Sequence, residues 1–314
     1  MKRIAAIVGA GLVGRSWAMV FARAGWQVRL TDADPAQVAA ARQRIAEGLA
    51  EQEAAGLADD AAAALARITL VERTERAVAD AAWVQENLPE DVAVKRSAFA
   101  LLDRAAPPEA VLASSTSGIV ASRFTEDLAG RARCLVAHPV NPPHLIPVVE
   151  LCGAPWTAPA TLERAREVME DVGQVPVSVR REIDGFILNR LQGALLSEAM
   201  RLVGEGYVSP EDLDKTVAHG LGLRWSFMGP FATIELNAPG GVADYCARYG
   251  GIYRSLAADP APPGVWDGNY VARIAAAAPA PAERERRMQW RDRRLAALAR
   301  HKKDQDLTPK EPKP

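Results

Sequence analysis

Apolar residues in the first part of the chain fall into short runs at 3–8, 27–31, 68–71, 82–85, 111–114, 134–137, 146–151 and 175–179. Each is too short for a packed helix and is bounded by polar or turn-forming residues, so each predicts a buried strand. Between them lie segments of helical character. Residues 16–24 form one, closed by Gly25, and the Ala-rich stretch 36–67, with scattered Glu, Gln and Arg, predicts one or two long helices. Two more are expected at 91–104 and 159–172. Strand, helix and strand within about thirty residues make a βαβ unit, which implies parallel strands in a doubly wound sheet. The alternation ends near residue 183. Residues 184–205 and 210–219 read as helices, 258–264 and 275–281 as Pro/Ala loops, and the Arg-dense stretch 283–303 as a solvated helix. The expected organisation is an α/β domain over 1–183, an all-helical second domain over 184–303 and a flexible Lys/Pro tail over 304–314, with no internal repeat.

Composition narrows the classes without naming one. Hydrophobic residues make up 49% of the 314 and charged residues 25%, enough apolar surface for a sizeable core. Lys plus Arg (38) nearly balances Asp plus Glu (39), for a net charge of −1, so neither nucleic acid nor an anionic membrane is expected as a partner. No stretch approaches the ~20 apolar residues of a membrane span. Cys134, Cys152 and Cys246 form no C-x-x-C pair, so no zinc or thiol-redox motif is visible and no metal is expected. An odd number of scattered thiols suits a reducing, cytoplasmic setting.

The first apolar run ends in Gly9-Ala10-Gly11-Leu12-Val13-Gly14, a G-x-G-x-x-G between a strand and a helix, and Asp32 ends the next strand about twenty residues on. In that context the motif predicts a Rossmann-type dinucleotide site. Gly9 permits the tight turn, Gly11 lets the backbone approach a pyrophosphate, and Gly14 lets helix and strand pack closely. The amides of Leu12 and Val13, at the positive end of the helix, would meet the phosphates. Asp32 would bind the adenosine ribose. With Asp34 close by and no basic neighbour to take a 2′-phosphate, NAD is favoured over NADP.

Polar residues at the ends of apolar runs supply candidate chemistry. Ser117 follows the run 111–114, His138 the run 134–137, Glu150 lies at the end of 146–151, and Asn189 opens the helical region. Ligands collect at the carboxyl ends of strands in open α/β sheets. Removing a hydride from a secondary alcohol requires a base for the hydroxyl proton, which an imidazole provides near neutral pH. A carboxylate on the other ring nitrogen would fix the tautomer, and Glu150 is the candidate. Spacing alone leaves His144 in competition with His138.

Gly9 to Gly14, Ser114-Ser115-Thr116-Ser117, His138-Pro139-Val140-Asn141 and Gly185-Phe186-Ile187-Leu188-Asn189-Arg190 together resemble the 3-hydroxyacyl-CoA dehydrogenase family, over about residues 3 to 300. The resemblance implies NAD-dependent oxidation of a 3-hydroxyl, with His138 as general base, Glu150 as its partner, and Ser117 and Asn189 on the reacting oxygen. It places Glu90, Lys95 and Asn141 on the nicotinamide side and implies a homodimer formed by the helical domain. Leu188, Leu191, Leu195 and Leu196 at helical spacing would serve either that interface or an internal core. The residues Gly14 to Met19 and Gly222 to Gly229 resemble the part of the family that acts on a free sugar acid, L-gulonate. Family members that take acyl-CoA carry lysines in the excursion after the second strand, whereas 41–70 here has none, although Arg42 and Arg44 remain. A small hydroxy acid is therefore expected, with Arg224 as the candidate for its carboxylate. The alternatives are a 3-hydroxyacyl-CoA, carnitine (for which Trp225, Phe227, Trp266 and Tyr270 could supply an aromatic pocket), or a non-catalytic structural or NAD-sensing protein. NAD binding alone would need neither His138, Glu150 nor Asn189.

Overall fold

A computed structural model describes residues 3–278 and 280–306. The strands are β1 (Ile4–Val8), β2 (Gln27–Thr31), β3 (Ile68–Leu70), β4 (Trp83–Glu86), β5 (Val111–Ser114), β6 (Cys134–Pro139), β7 (Val148–Gly153) and β8 (Val175–Val179). They form one eight-stranded sheet in the order β3-β2-β1-β4-β5-β6-β7-β8. Side chains alternate between its faces, as the pleat demands. Ala5, Ile7, Trp83, Ala113 and Leu135 join Trp17, Phe21 and Trp26 on one side. Ala6, Val8, Val84, Leu112 and Val136 join Phe99, Phe124 and Phe186 on the other. The chain leaves β1 toward β2 on one side and continues from β4 on the other. That arrangement opens a crevice beyond the carboxyl ends of β1 and β4.

The sheet departs from the all-parallel expectation at one place. β6 and β7 are antiparallel, with His138 directly opposite Glu150. The cause is the connection, residues 140–147, which is shorter than the dozen or so residues that a parallel crossover requires. All other pairings are parallel.

Contacts divide the chain into residues 3–189 with 288–306, and a second unit, Arg190–Arg287. The helical region was expected to keep everything to 303, but the terminal helix, Pro281–Asp306, ends on the first unit. There Ala296 is buried and the Arg300 guanidinium donates to the Gly56 carbonyl at 3.3 Å. Positions 304–306, expected in the tail, continue this helix; the remainder of that tail, 307–314, lies outside the described residues. The Arg-dense face is otherwise exposed, as a charged helix should be.

The second unit holds the rest of the helix Leu188–Gly204 and the helices Pro210–Thr216, Gly222–Trp225, Pro230–Leu236, Gly241–Ala257 and Gly268–Ala276. Ser209 caps Pro210–Thr216 by accepting from the Asp212 amide. The helix expected over 210–219 gives way at Val217 to a wider π turn. Among the described residues, no helix is long and apolar enough to cross a membrane.

Candidate functional site

The glycine loop closes the end of β1. The Gly9 amide donates to the Thr31 carbonyl at 2.8 Å, and a Cβ on Gly9 would lie 2.7 Å from the Asn87 carbonyl oxygen. A Cβ on Gly14 would lie 1.8 Å from the Gly9 oxygen, so helix Leu12–Arg23 can pack on the loop only if Gly14 has no side chain. At Gly11 a Cβ would meet nothing within 4 Å. That glycine faces open space, and the fold itself does not require it. The amides of Leu12 and Val13 lie in a first turn that contains no acidic residue, where helical amides lack intrahelical partners. Asp32 binds the loop as well: one oxygen accepts from the Ala10 amide at 2.6 Å, the other from the Asp34 amide at 2.9 Å. Asp34 caps helix Pro35–Ala54. Each Asp32 oxygen keeps a lone pair for a ribose hydroxyl. A neighbouring cleft of about 530 Å³, lined by Val8, Thr74, Leu88, Val94, Ala98 and Leu101, is apolar enough for a flat base. Open space at Gly11, free amides and this cleft together fit a dinucleotide.

The His138–Glu150 register becomes a hydrogen bond of 2.8 Å between Nδ1 and Oε2, nearly sealed from solvent. A neutral imidazole that donates from Nδ1 to a carboxylate leaves the Nε2 lone pair free to take a proton. The second Glu150 oxygen accepts the amides of Ile187 and Leu188 at 2.8 and 2.9 Å. Burial pushes the Glu150 carboxyl up, but the bonds from His138, Leu188 and Ile187 outweigh it and hold the group below its ordinary range. His144 has no such partner. Its Nδ1 is buried without a hydrogen bond, and burial and the nearby Arg23 push it down to about 4.

The loop after β5 is held from beneath. Glu90 accepts from the Thr116 hydroxyl and from the amides of Ser117 and Gly118, the latter two at 3.2 Å each. The Asn189 side-chain amide donates to the Ser117 carbonyl at 2.8 Å. Asn189 is adjacent to Leu188, which bonds Glu150, so the geometry ties together His138, Glu150, Asn189 and Ser117. The Ser117 side chain is exposed, as is Asn141. Glu90 stays below its ordinary range because these bonds and the charge of Lys95 overcome burial, which raises it.

Lys95 was expected beside the nicotinamide. It is 1% exposed, and its ammonium lies 3.1 Å from both oxygens of buried Glu86. Glu86 also accepts the Ser114 hydroxyl at 2.5 Å and the Leu88 amide at 2.6 Å. Removing one partner of such a buried pair typically costs about 3–5 kcal/mol. Glu86 was not singled out from the sequence, and Ser114 was noted there only as part of Ser114-Ser115-Thr116-Ser117. A carboxylate at the end of an apolar strand, nine residues before a lysine in a helix, was the available signal.

Arg224 lies in helix Gly222–Trp225 of the second unit, where it is exposed. Among the described residues, no cluster of three or more His, Cys, Asp or Glu could hold a metal.

The family model for the NAD binding domain of 3-hydroxyacyl-CoA dehydrogenase matches residues 4–183, and the model for the C-terminal domain matches 185–265. The chain belongs to the 3-hydroxyacyl-CoA dehydrogenase family. It is an NAD-dependent hydroxy acid dehydrogenase. Lambda-crystallin of Oryctolagus cuniculus is 42% identical over 306 residues, covering 95% of each chain. An L-carnitine dehydrogenase of Pseudomonas sp is 39% identical over 246 residues, 78% of this chain and 76% of that protein. The structure of 5-formyl-3-hydroxy-2-methylpyridine 4-carboxylic acid 5-dehydrogenase, an NAD+-dependent dismutase, superposes with a TM-score of 0.83 at 29% identity, covering 96% of this chain and 98% of that one.

Proposed function

We propose that this dehydrogenase oxidises the 3-hydroxyl of a small, unconjugated hydroxy acid, with L-gulonate the first substrate to test, and that it works as a homodimer in the cytoplasm. NAD supplies the hydride acceptor. Gly9, Gly11 and Gly14 with the amides of Leu12 and Val13 hold the pyrophosphate, Asp32 the ribose, and Asn141 borders the nicotinamide. His138 takes the hydroxyl proton on Nε2, and Glu150 stabilises the imidazolium that results. Ser117 and Asn189 bind the reacting oxygen. Glu90 sets the Ser117 loop, and Lys95 contributes through Glu86. Arg224 binds the substrate carboxylate. The observation that carries the reading is the His138–Glu150 bond, because cofactor binding alone has no use for it.

Two features support a free acid over an acyl-CoA. Residues 41–70 lack lysine, and the end of the terminal helix covers part of the same excursion through Ala296 and Arg300. Carnitine is the second reading, favoured by the L-carnitine dehydrogenase relatives and by Trp225, Phe227 and Trp266, which are all exposed in the second unit. A panel of L-gulonate, carnitine and 3-hydroxybutyryl-CoA, followed by NADH formation, is the test. L-gulonate should show the highest kcat/KM, and activity confined to the CoA ester would overturn the proposal. His138→Ala should lower kcat by roughly 10²–10⁴-fold, while His144→Ala should not.

A further inference from the structure

Phe186 combines features that no ordinary core phenylalanine needs together. It has a positive φ of 48°, directly after Gly185 at 75°. It is fully buried, and its ring centroid lies 5.5 Å from that of His138, at 35° between planes. The ring belongs to the same core cluster as Val136, Cys152 and Val179, which come from the strands that carry His138 and Glu150 and from their neighbour β8. The two amides that follow it, Ile187 and Leu188, are those that bind Glu150. A left-handed conformation is sterically unfavourable for a bulky side chain, and it persists only where the surroundings impose it.

We infer that Phe186 is the positioning residue of the His138–Glu150 pair. Its backbone turn aims two amides at Glu150 Oε1, while its ring backs the imidazole. One residue thus fixes both members of the pair, with no contact to substrate or cofactor required. Glu150 can meet the amides and the imidazole together only if the chain reverses sharply after Ile183, whose carbonyl receives the Phe186 amide at 3.1 Å. Glycine would make that reversal without strain but would leave nothing behind the imidazole. A side chain at this position answers the second need, against the backbone's preference.

This inference rests on the reading of His138 as the base. Phe186→Gly keeps the turn and removes the ring, Phe186→Ala removes the ring under the same backbone demand, and Phe186→Leu keeps apolar bulk. The Gly and Ala variants should lower kcat by roughly 10–100-fold, the order expected of a small misplacement of a catalytic group, with KM for NAD unchanged. The Leu variant, which keeps apolar bulk but no flat ring, should recover only part of the loss and stay several-fold below wild type. Melting temperature, followed in parallel, should rank the variants differently from kcat, because Gly relieves the backbone while Ala does not. Wild-type kcat in the Gly and Ala variants, whatever their melting temperatures, would overturn the inference. If those two do not fold, the Leu variant decides: reduced kcat with unchanged KM for NAD supports it, and unchanged kcat overturns it. His138→Asn is the control for the underlying reading. Activity retained there removes the base assignment, whereas an inactive His138→Asn beside unaffected Phe186 variants removes only the role of Phe186.

Discussion

The two oxygens of Glu150 serve different neighbours: one faces an imidazole, the other two backbone amides. Glu150→Gln leaves only one oxygen as acceptor for these donors, so it should lower kcat and alter the pH dependence of kcat/KM. A pH profile identical to wild type would refute the pairing. Acid stability separates this carboxylate from His144. The pKa of Glu150 is depressed in the folded state, so its contribution to stability is present above its ordinary value of 4.5 and is lost as pH falls through the lower folded value. His144 is pushed from 6.5 to about 4 by burial. The unfolded chain therefore binds a proton there first, and stability should fall between pH 6.5 and 4, by at most roughly 3 kcal/mol. His144→Gln should flatten the denaturant midpoint across that window and leave the more acidic loss in place. An unaltered slope would show that His144 is not buried neutral.

At the level of elements, the glycine loop separates two kinds of requirement. An added Cβ at Gly14 collides with the Gly9 carbonyl, while at Gly11 it meets no protein atom. Gly14→Ala should therefore lower the melting temperature in the absence of NAD. Gly11→Ala should leave it unchanged yet weaken NAD binding, as calorimetry would report. Equal loss of apo stability in both would contradict this assignment. The packing role of Gly14 was legible in the sequence because G-x-G-x-x-G between strand and helix has one backbone solution. The strands β2, β5 and β8 were legible to the residue from apolar runs with sharp borders. The reversal of β7 was not, since an apolar run carries no sign of its direction. Hence the sequence suggested Glu150 as a partner on chemical grounds while giving no register to place it opposite His138. Glu86 was hidden for a related reason: apart from its distance to Lys95, a buried carboxylate reads like any polar residue at a strand end.

Across the whole molecule, the second unit exposes large apolar side chains, among them Leu191 (65%), Phe227 (70%), Phe231 (78%) and Leu236 (72%). So much uncovered apolar surface is characteristic of an interaction site. Sedimentation at micromolar concentration should give a dimer, and Phe231→Glu should shift it toward monomer. A wild-type monomer would refute the proposed assembly. The end of the strands after β8 was readable from the loss of alternating apolar runs. The return of the terminal helix was not, because an Arg-rich sequence with few apolar positions gives little hint that it buries Ala296.

The hairpin of β6 and β7 has a consequence for how this protein can change over evolutionary time. Register within a sheet has a period of two, so a one-residue slip inside either strand would turn His138 or Glu150 to the opposite face. The connecting residues 140–147 are under no such parity rule. Insertions there change the length of the loop that carries Asn141 and His144 and leave the pairing of the strands intact. On the proposed reading, a lineage could therefore remodel the loop that carries Asn141 in steps of any size while inheriting the His138–Glu150 pair unaltered, which is a route by which one reaction can acquire many substrates.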